Sequence, residues 1–245
     1  MSQSFRNLKS SAANNKACLS VVMPVYNEAA TVEKVVGTVL AQPSVAELIA
    51  VGDGSDRTAE ILAKMRDHPR LIVDRHERDR GKGAAVRTGF AMAKSPIVLI
   101  QDADLEYDPA EYEKLLRPIL AGKADVVFGS RFRGLEAHRV LYFWHFVGNR
   151  FLTLLSNIFT NLNLTDMETG SKAVKRAVLQ HLTLNEDHFG FEPEITAKVA
   201  KLGVPIYEVA VSCSGRTYAQ DKKVDWRDGF SALRWILKYN LGSSH

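Results

Sequence analysis

Short runs of consecutive apolar residues alternate with helical patterns along the first half of the chain. Five runs predict buried strands, at 19–24, 47–51, 71–73, 96–100 and 124–128. Between them, apolar residues at helical spacing predict helices over 29–41 and 58–66, a third opening at Gly83 and a fourth from Pro109. Because strands that are apolar throughout are covered on both faces, the pattern predicts an α/β fold with a mostly parallel central sheet and helices on both faces.

The second half opens with a different pattern, which predicts a long helix over 140–162. Its apolar residues recur every three or four positions: Val140, Trp144, Val147, Phe151, Leu154, Ile158 and Leu162. The opposite face carries His145, Asn149, Thr153, Ser156, Asn157 and Thr160. Arg139 and Arg150 add positive charge. Two interpretations follow: the apolar face packs on the protein's own core, or the helix lies in a membrane interface, where aromatic residues and flanking arginines are favourable.

Farther along, a strand is predicted at 205–211, between helical patterns at 193–202 and 225–239.

Length and composition indicate one globular domain after a short arm. The chain has 245 residues, of which 46% are hydrophobic and 24% charged, as in ordinary globular proteins. Residues 1–17 are polar and rich in Ser and Asn, and we expect a disordered arm there, followed by a single domain over 18–241. The net charge of +4, from 32 basic and 28 acidic residues, is too small to indicate nucleic-acid binding.

Cysteine usage and hydrophobicity predict the compartment. Cys18 and Cys213 lie far apart and outside any CxxC pair, so neither a disulfide framework nor a zinc site is indicated. The chain has no signal-peptide core near its start and no apolar run of 18 residues or more. We therefore expect a cytoplasmic protein. Any contact with the cytoplasmic face of a membrane would be peripheral or supplied by a membrane-protein partner.

Three acidic residues follow the fourth predicted strand. In an extended chain, Asp102, Asp104 and Glu106 would share one side. They would then converge at the carboxyl end of a parallel strand, where open α/β sheets bind ligands. Three such carboxylates repel one another unless a cation neutralises them, and hard oxygen ligands suit Mg²⁺ or Mn²⁺. The spacing therefore predicts a divalent-metal site, against the alternative of solvated loop acids.

Three further turns are typical of nucleotide binding, although each is also common as an ordinary turn or helix cap. Pro24-Val25-Tyr26-Asn27-Glu28 ends the first predicted strand and Asp53-Gly54-Ser55-Asp56 ends the second. Arg80-Gly81-Lys82-Gly83 opens a helix and could hold phosphate through its backbone N–H groups. It is neither a Walker A motif nor a dinucleotide fingerprint, which excludes the ATPase and dehydrogenase classes.

In order and spacing, these motifs, together with Gln101-Asp102-Ala103-Asp104-Leu105-Glu106 and Gly129-Ser130-Arg131, resemble those of family 2 glycosyltransferases with a GT-A fold. Within that family the chain looks most like the polyprenyl (dolichyl) phosphate mannosyl- and glucosyltransferases. The resemblance covers about 19–241 and implies a Rossmann-like nucleotide-sugar half, 18–131, and an acceptor half, 132–241. Gly52 stands where the family usually has Asp or Asn, which leaves UDP and GDP both open as the donor nucleotide.

The resemblance also implies roles for individual residues. The nucleotide would be held by Pro24, Tyr26, Glu28, Asp53, Lys82, Asp102 and Ala103. Asp104 and Glu106 would bind the divalent ion, while Asp102 would contact the ribose or the ion. Arg131 and Arg216 match arginines that the family places near the phosphates. The implied reaction is inverting transfer of mannose or glucose from a GDP- or UDP-hexose to a polyprenyl phosphate.

The nature of the acceptor decides which other residues the chemistry needs. A lipid phosphate is already an oxyanion at neutral pH and requires cations to orient it, and Arg131, Arg216, Lys222 and Lys223 are the candidates. A hydroxyl acceptor would require a carboxylate base, for which Asp166 and Glu168 are the candidates. Glu192 either approaches the sugar hydroxyls or is a simple helix-start acid. Two more functions fit the same motifs: a family 2 enzyme with a saccharide or small-molecule acceptor, and a sugar nucleotidyltransferase.

Overall fold

A seven-stranded sheet forms the centre of the molecule in this computed structural model, which describes residues 17–52, 56–134, 142–188, 190–214 and 226–241. The strands are β1 (Leu19–Val25), β2 (Val45–Gly52), β3 (Leu71–Arg75), β4 (Ile97–Ile100), β5 (Val126–Ser130), β6 (Lys172–Lys175) and β7 (Ile206–Ala210). Their order is β3-β2-β1-β4-β6-β5-β7. All neighbouring strands are parallel except that β6 runs antiparallel to both β4 and β5.

Helices cover both faces of this sheet. They are α1 (Val32–Leu40), α2 (Thr58–Met65), α3 (Gly81–Met92), α4 (Tyr112–Leu120), α5 (Phe143–Thr160), α6 (Arg176–Leu179), α7 (Phe191–Leu202) and α8 (Trp226–Leu241), with a 3-10 turn at Pro109–Glu111. Alternate residues of β1 enter different cores: Val21 packs with α1 and α4, whereas Val22 packs with α3 and α7. The predicted α/β architecture is therefore confirmed.

Strand β6 is the strand that the hydrophobic pattern did not predict, and the short helix α6 after it was not predicted either. Its sequence, Lys-Ala-Val-Lys, is only four residues long and half charged, so it gives no strand signal. The predicted helix start at Gly83 is also wrong by two residues, because α3 begins at Gly81.

At the end of β2, a Cβ on Gly52 would lie 2.8 Å from the Val25 carbonyl oxygen. The close approach of β1 and β2 therefore requires glycine there.

Helix α5 lies with its polar side inward. Its buried residues are Asn149, Thr153 and Ser156, while Trp144 and Ile158 of the apolar side are 79% and 67% exposed. The expectation that the apolar face packs on the protein's own core is therefore wrong. The physical reason is that the segment against which α5 packs offers backbone N–H and C=O groups, which the polar side chains satisfy. None of the described helices combines the length and hydrophobicity that a bilayer-spanning helix requires.

Candidate active site

Strand directions bring six strand ends and one strand start to a single edge of the sheet. Strands β1, β2 and β4 are mutually parallel, and β5 points the same way because β6 is antiparallel to both β4 and β5. The amino end of β6 consequently lies at the same edge, with Lys172 paired to Ile100 and to Phe128. Segment 164–171, which leads into β6, is thereby placed beside the turns that follow β4 and β5.

The acidic segment after β4 forms a tight turn. Buried Gln101 shapes it by donating to the Asp102 carbonyl at 3.1 Å and to the Tyr107 carbonyl at 3.3 Å. Leu105 has a φ of +64°, a left-handed conformation that costs a non-glycine residue about 1 kcal/mol or more. The expectation of an extended chain with three carboxylates on one side is therefore wrong.

Within this turn, Asp104 Oδ1 accepts a hydrogen bond from the Glu106 backbone N–H at 3.0 Å. Non-glycine residues with a left-handed backbone, such as Leu105, cluster at ligand sites, where the surrounding structure holds them in that conformation. The turn thus ties the Asp104 side chain to the Glu106 backbone, whereas the Asp102 side chain is directed to Lys82.

Asp102 contacts Lys82, the cation at the start of α3. Lys82 Nζ lies 3.0 Å from Asp102 Oδ1 and 3.0 Å from Glu192 Oε1 on α7. Burial alone would lower the pKa of Lys82, but the two carboxylates hold it well above its usual range. Glu192 is thus more than a helix-start acid: it faces the predicted nucleotide site and shares its cation with Asp102.

Gly170 allows Asp102 to approach the segment before β6. A Cβ at Gly170 would collide with Asp102 Oδ2, so a larger residue there would displace the Asp102 carboxylate. The Gly170 N–H donates to the Tyr107 hydroxyl at 3.1 Å, which fixes the segment against the acidic turn. The loop before β6 and the turn after β4 therefore form one continuous wall.

The turns after β1 and β2 are joined to each other by hydrogen bonds. The Glu28 N–H donates to Thr58 Oγ1 at 2.9 Å, and Thr31 Oγ1 lies 2.8 Å from both Glu28 Oε2 and the Ala103 carbonyl oxygen. Asp56 Oδ1 accepts from the Thr58 N–H at 2.9 Å, as in an Asx turn. Tyr26 is 43% exposed at this edge, and Pro24 lies half-buried near the end of β1. The structure thus places four predicted nucleotide residues, Pro24, Tyr26, Glu28 and Ala103, beside the acidic turn.

Arg131, directly after β5, is clamped by Asp166. Its Nε donates to Asp166 Oδ2 and its Nη2 to Oδ1, each at 2.7 Å, and its backbone N–H donates to Oδ2 at 3.1 Å. Asp166 has no exposed surface. Because both of its oxygens accept from Arg131, Asp166 orients the guanidinium and is poorly placed to remove a proton from an acceptor.

Glu208 on β7 positions this clamp, and sequence reasoning did not find it. Its carboxylate accepts hydrogen bonds from the Thr165 N–H at 2.8 Å and the Asp166 N–H at 3.2 Å. Arg133 Nη1 lies 3.2 Å from its Oε2. A lone acid within a short strand carries no signal of such a role, because the contact depends on the parallel pairing of β5 with β7.

Glu168 is a half-buried residue near Glu192 and Arg131. Its Oε1 is inaccessible and has no hydrogen-bond partner among the described residues. Burial, and then the charge of Glu192, raises its pKa. Nearby Lys172 is buried; its ammonium group donates to the Thr169 carbonyl, and desolvation lowers its pKa. Glu168 therefore keeps hydrogen-bonding capacity within the site.

The donor set fits a divalent ion only in part. Within the described ranges, no three His, Cys, Asp or Glu side chains stand together in a metal-holding arrangement. Asp102 contacts Lys82. The turn carries two further carboxylates: Asp104, whose Oδ1 accepts from the Glu106 N–H, and Glu106, whose Oε2 lies 3.9 Å from Cys213 Sγ. Mg²⁺ and Mn²⁺ accept one or two carboxylates when water and substrate phosphates complete the shell. The residues present fit such an open site.

Four predicted site residues lie outside the described part of the chain. They are Asp53, Arg216, Lys222 and Lys223. Arg139 and Val140, at the start of the predicted long helix, also lie outside it. The roles assigned to these residues from the sequence stay predictions.

Residues 20–183 match the model of Glycosyl transferase family 2. This match spans more than half of the chain, which therefore belongs to that family. The predictions of a family 2 glycosyltransferase and of a hexosyltransferase are confirmed, and the sugar nucleotidyltransferase alternative is set aside.

Curated relatives include enzymes that act on lipid phosphates. The chain is 24% identical over 243 residues to a UDP-N-acetylglucosamine–dolichyl-phosphate N-acetylglucosaminyltransferase of Methanococcus voltae, covering 91% of this chain and 96% of that one. It is 28% identical over 231 residues to an undecaprenyl-phosphate 4-deoxy-4-formamido-L-arabinose transferase of Pseudomonas aeruginosa, covering 91% of this chain and 63% of the relative.

Among solved structures, the fold matches glucosyl-3-phosphoglycerate synthase from Mycobacterium tuberculosis in complex with Mn²⁺, UDP and glucosyl-3-phosphoglycerate. The TM-score is 0.73 at 21% identity, over 93% of this chain and 81% of that one. At this identity the match shows the fold alone, and it confirms the predicted GT-A architecture.

Proposed function

We propose that this family 2 glycosyltransferase transfers a hexose, mannose or glucose, from a nucleoside diphosphate sugar to a polyprenyl phosphate at the cytoplasmic surface of a membrane. The acceptor phosphate oxygen attacks the anomeric carbon while the bond from that carbon to the diphosphate breaks. The leaving nucleoside diphosphate takes the electron pair, and a single displacement inverts the anomeric centre. The products are a lipid-linked hexose and the nucleoside diphosphate.

The clamp of Arg131 by Asp166 is the observation that carries this proposal. A phosphate monoester has a second pKa of about 6, so it is a ready nucleophile at neutral pH and needs no base. It needs a cation with fixed direction, which a guanidinium held at 2.7 Å through two bonds provides. Arg216, Lys222 and Lys223 are proposed to complete this acceptor-phosphate site.

The donor half of the reaction is assigned to the edge formed by β1, β2 and β4. Tyr26 offers an exposed ring for a base, and Asp102 offers a carboxylate for ribose hydroxyls. We place the transferred sugar between the turns at this edge and Arg131, near Glu192, which contacts Lys82, and near Glu168. The Mycobacterium tuberculosis neighbour was solved with UDP, which supports a nucleotide at this edge.

Asp104 and Glu106 would hold the divalent ion, Mg²⁺ or Mn²⁺. When bound, such an ion neutralises charge that builds up on the departing diphosphate. The Mn²⁺ in the solved neighbour supports a metal in this fold. Asp104→Asn would keep the local hydrogen bond of the turn while removing a charged ligand.

A hydroxyl acceptor is the second candidate, because Glu168 retains an oxygen that accepts no hydrogen bond from any described residue. In that case Glu168 would remove the acceptor proton, and its raised pKa would suit a base acting near neutral pH. Solved neighbours with phosphoglyceric acid support acceptors of this kind.

The deciding experiment offers UDP- and GDP-linked glucose and mannose with Mg²⁺ or Mn²⁺ to two acceptors, a short polyprenyl phosphate and a phosphoglyceric acid. We expect lipid-linked hexose that disappears with chelator and returns with metal. Glu168→Gln should retain that transfer. Product only from the hydroxyl acceptor, together with loss of activity in Glu168→Gln, would overturn the lipid-phosphate assignment.

A further inference from the structure

Contacts on the polar side of α5 fix the rotation of this helix. Asn157 Nδ2 donates to the Leu164 carbonyl at 2.8 Å, and the Leu164 N–H donates back to Asn157 Oδ1 at 3.1 Å. The Met167 N–H donates to Thr153 Oγ1 at 3.2 Å. Turning the helix to bury its other side would leave these backbone groups unpaired. The helix therefore supports segment 164–167, which carries Asp166, and must face it with polar residues.

The same rotation exposes an apolar stripe along the opposite side. Its members are Trp144, Val147, Phe151, Leu154 and Ile158, with exposed fractions of 79%, 37%, 56%, 59% and 67%. From first to last it extends about 20 Å at 1.5 Å per residue. Single exposed apolar residues are ordinary, whereas a continuous row of large ones marks a surface that binds something.

The charged residues (Asp, Glu, Lys and Arg) near the stripe in the sequence are all basic. No acidic residue occurs between Glu136 and Asp166, whereas Arg139 and Arg150 lie within that interval. Arg150 is exposed on α5, and Tyr142, Phe143 and Trp144 are exposed at its start. Aromatic residues with a polar edge favour the boundary between lipid and water, and arginines favour anionic headgroups.

We propose that the α5 stripe docks the protein on an anionic bilayer surface. The helix would lie in the plane of the interface, with the stripe toward the acyl chains and Arg150 at the headgroups. Its other side holds the segment that orients Arg131, so docking would place the acceptor side of the active site next to the membrane. The delivery of a lipid acceptor in this way rests on the proposed function, whereas the docking itself does not.

A second copy of the chain fits the stripe less well. In a symmetric dimer the same patch meets itself, so the Arg150 side chains of both copies would enter one apolar interface. The acid-free interval that contains α5 provides no carboxylate to neutralise that pair. An anionic headgroup layer supplies the missing charge, which is why the bilayer is the favoured occupant.

Vesicle flotation of the full chain tests the docking surface without donor or acceptor. The vesicles are phosphatidylcholine alone or mixed with phosphatidylglycerol, at low and high salt. We expect binding to the anionic vesicles that weakens with salt. The combined change Trp144→Ser and Ile158→Ser should reduce it about tenfold or more.

Leu120→Ser with Leu202→Ser is the matched control, because these leucines are also exposed, at 65% and 40%, on other helices. It should bind vesicles like the unchanged protein, and both double variants should keep its thermal midpoint. Arg150→Gln serves as a second variant and should weaken binding only to anionic vesicles. If the unchanged protein binds neither vesicle, or both double variants bind equally, the proposal is wrong.

Two further measurements distinguish bilayer docking from dimer formation and from the proposed transfer activity. Light scattering that shows a dimer dissociated by Trp144→Ser with Ile158→Ser, without vesicle binding, would assign the stripe to a second copy. Transfer to a long-chain acceptor in vesicles should fall in that variant, while transfer to a short, water-dispersed acceptor should persist. Absence of any transfer alongside normal vesicle binding would overturn the proposed function and leave the docking surface standing.

Discussion

Lys82 and Arg131 are two half-buried cations near the acidic turn, and their partners differ. Lys82 lies 3.0 Å from each of two carboxylates, Asp102 and Glu192. Arg131 is held by the single carboxylate of Asp166 through two bonds of 2.7 Å. The Lys82 group therefore carries one excess negative charge, whereas the Arg131 pair is neutral.

The difference assigns distinct tasks to the two sides. A cation shared by two carboxylates positions them, and the negative excess favours sugar hydroxyls or a metal ion over a bare phosphate. Both Arg131 bonds use the Nε and Nη2 side of the guanidinium. Among the described residues its Nη1 remains available to an acceptor anion. Four substitutions test this division between a donor side and an acceptor side.

Arg131→Ala should have the largest effect. We expect kcat for transfer to fall about 10²- to 10³-fold, because a fixed cation at the reacting phosphate is lost. The dissociation constant for the nucleotide sugar should stay within about twofold, as the donor contacts lie elsewhere. Steady-state kinetics and calorimetric donor titration measure the two quantities. Arg131→Lys, which keeps the charge without the planar fork, should recover only part of kcat, and a large loss of donor affinity would contradict the division.

Lys82→Ala should act on donor binding and on folding. It leaves Asp102 and Glu192 close together and without their cation, so we expect the free energy of unfolding to fall by about 3 kcal/mol. Nucleotide-sugar affinity should fall about tenfold or more in the variant that remains folded. Urea unfolding and donor titration measure these changes, with Lys82→Arg as the charge-preserving control. Unchanged stability would show that the two short contacts contribute little.

Asp166→Asn should have a smaller, orienting effect. Asparagine fills the same volume but cannot accept two charge-assisted bonds from Arg131, so we expect kcat to fall about tenfold with little change in donor KM. The pH dependence of kcat should keep its shape, since Asp166 is assigned no proton transfer. Disappearance of a titration from the pH profile of this variant would instead identify Asp166 as a base.

Glu168→Gln should change pH dependence more than activity at neutral pH. Folding raises the pKa of Glu168 to about 7 through burial and Glu192, with Lys172 and Arg131 opposing and Asp166 adding to the rise. A raised folded-state pKa stabilises the protein fully below the unfolded value near 4.5, and that contribution is lost as pH rises through about 7. The unchanged protein should therefore lose about 2 to 3 kcal/mol of unfolding free energy between pH 5 and 8 from this group. Glu168→Gln should lack that loss, and identical pH–stability curves would refute the assignment.

Much of the donor side was predictable from sequence because its residues follow strongly apolar strands. The motif that contains Asp102 follows β4, and Lys82 opens α3, so strand and helix patterns located them. The acidic turn was predicted with the wrong backbone. Only the left-handed Leu105 and the bond from Glu106 to Asp104 reveal that Asp102 leaves its neighbours to meet Lys82.

The acceptor side was harder to predict from the sequence, because its contacts join segments that are far apart along the chain. Arg131 and Asp166 were both identified as chemical candidates, but their pairing depends on β6, which has no strand signal. Glu208 and Lys172 were missed for the same reason, since each is a charged residue whose position at the site follows from strand order.

The amino-acid sequence alone determined the α/β class, the strands of the donor half, the two-sided character of α5 and the family to which the chain belongs. Periodicity specifies that a helix has an apolar and a polar side, but it does not specify which side meets the rest of the protein. The tertiary structure decided that for α5, because the backbone groups of 164–167 require polar partners. It likewise decided that Asp166 orients Arg131, since only folding brings the two side chains together.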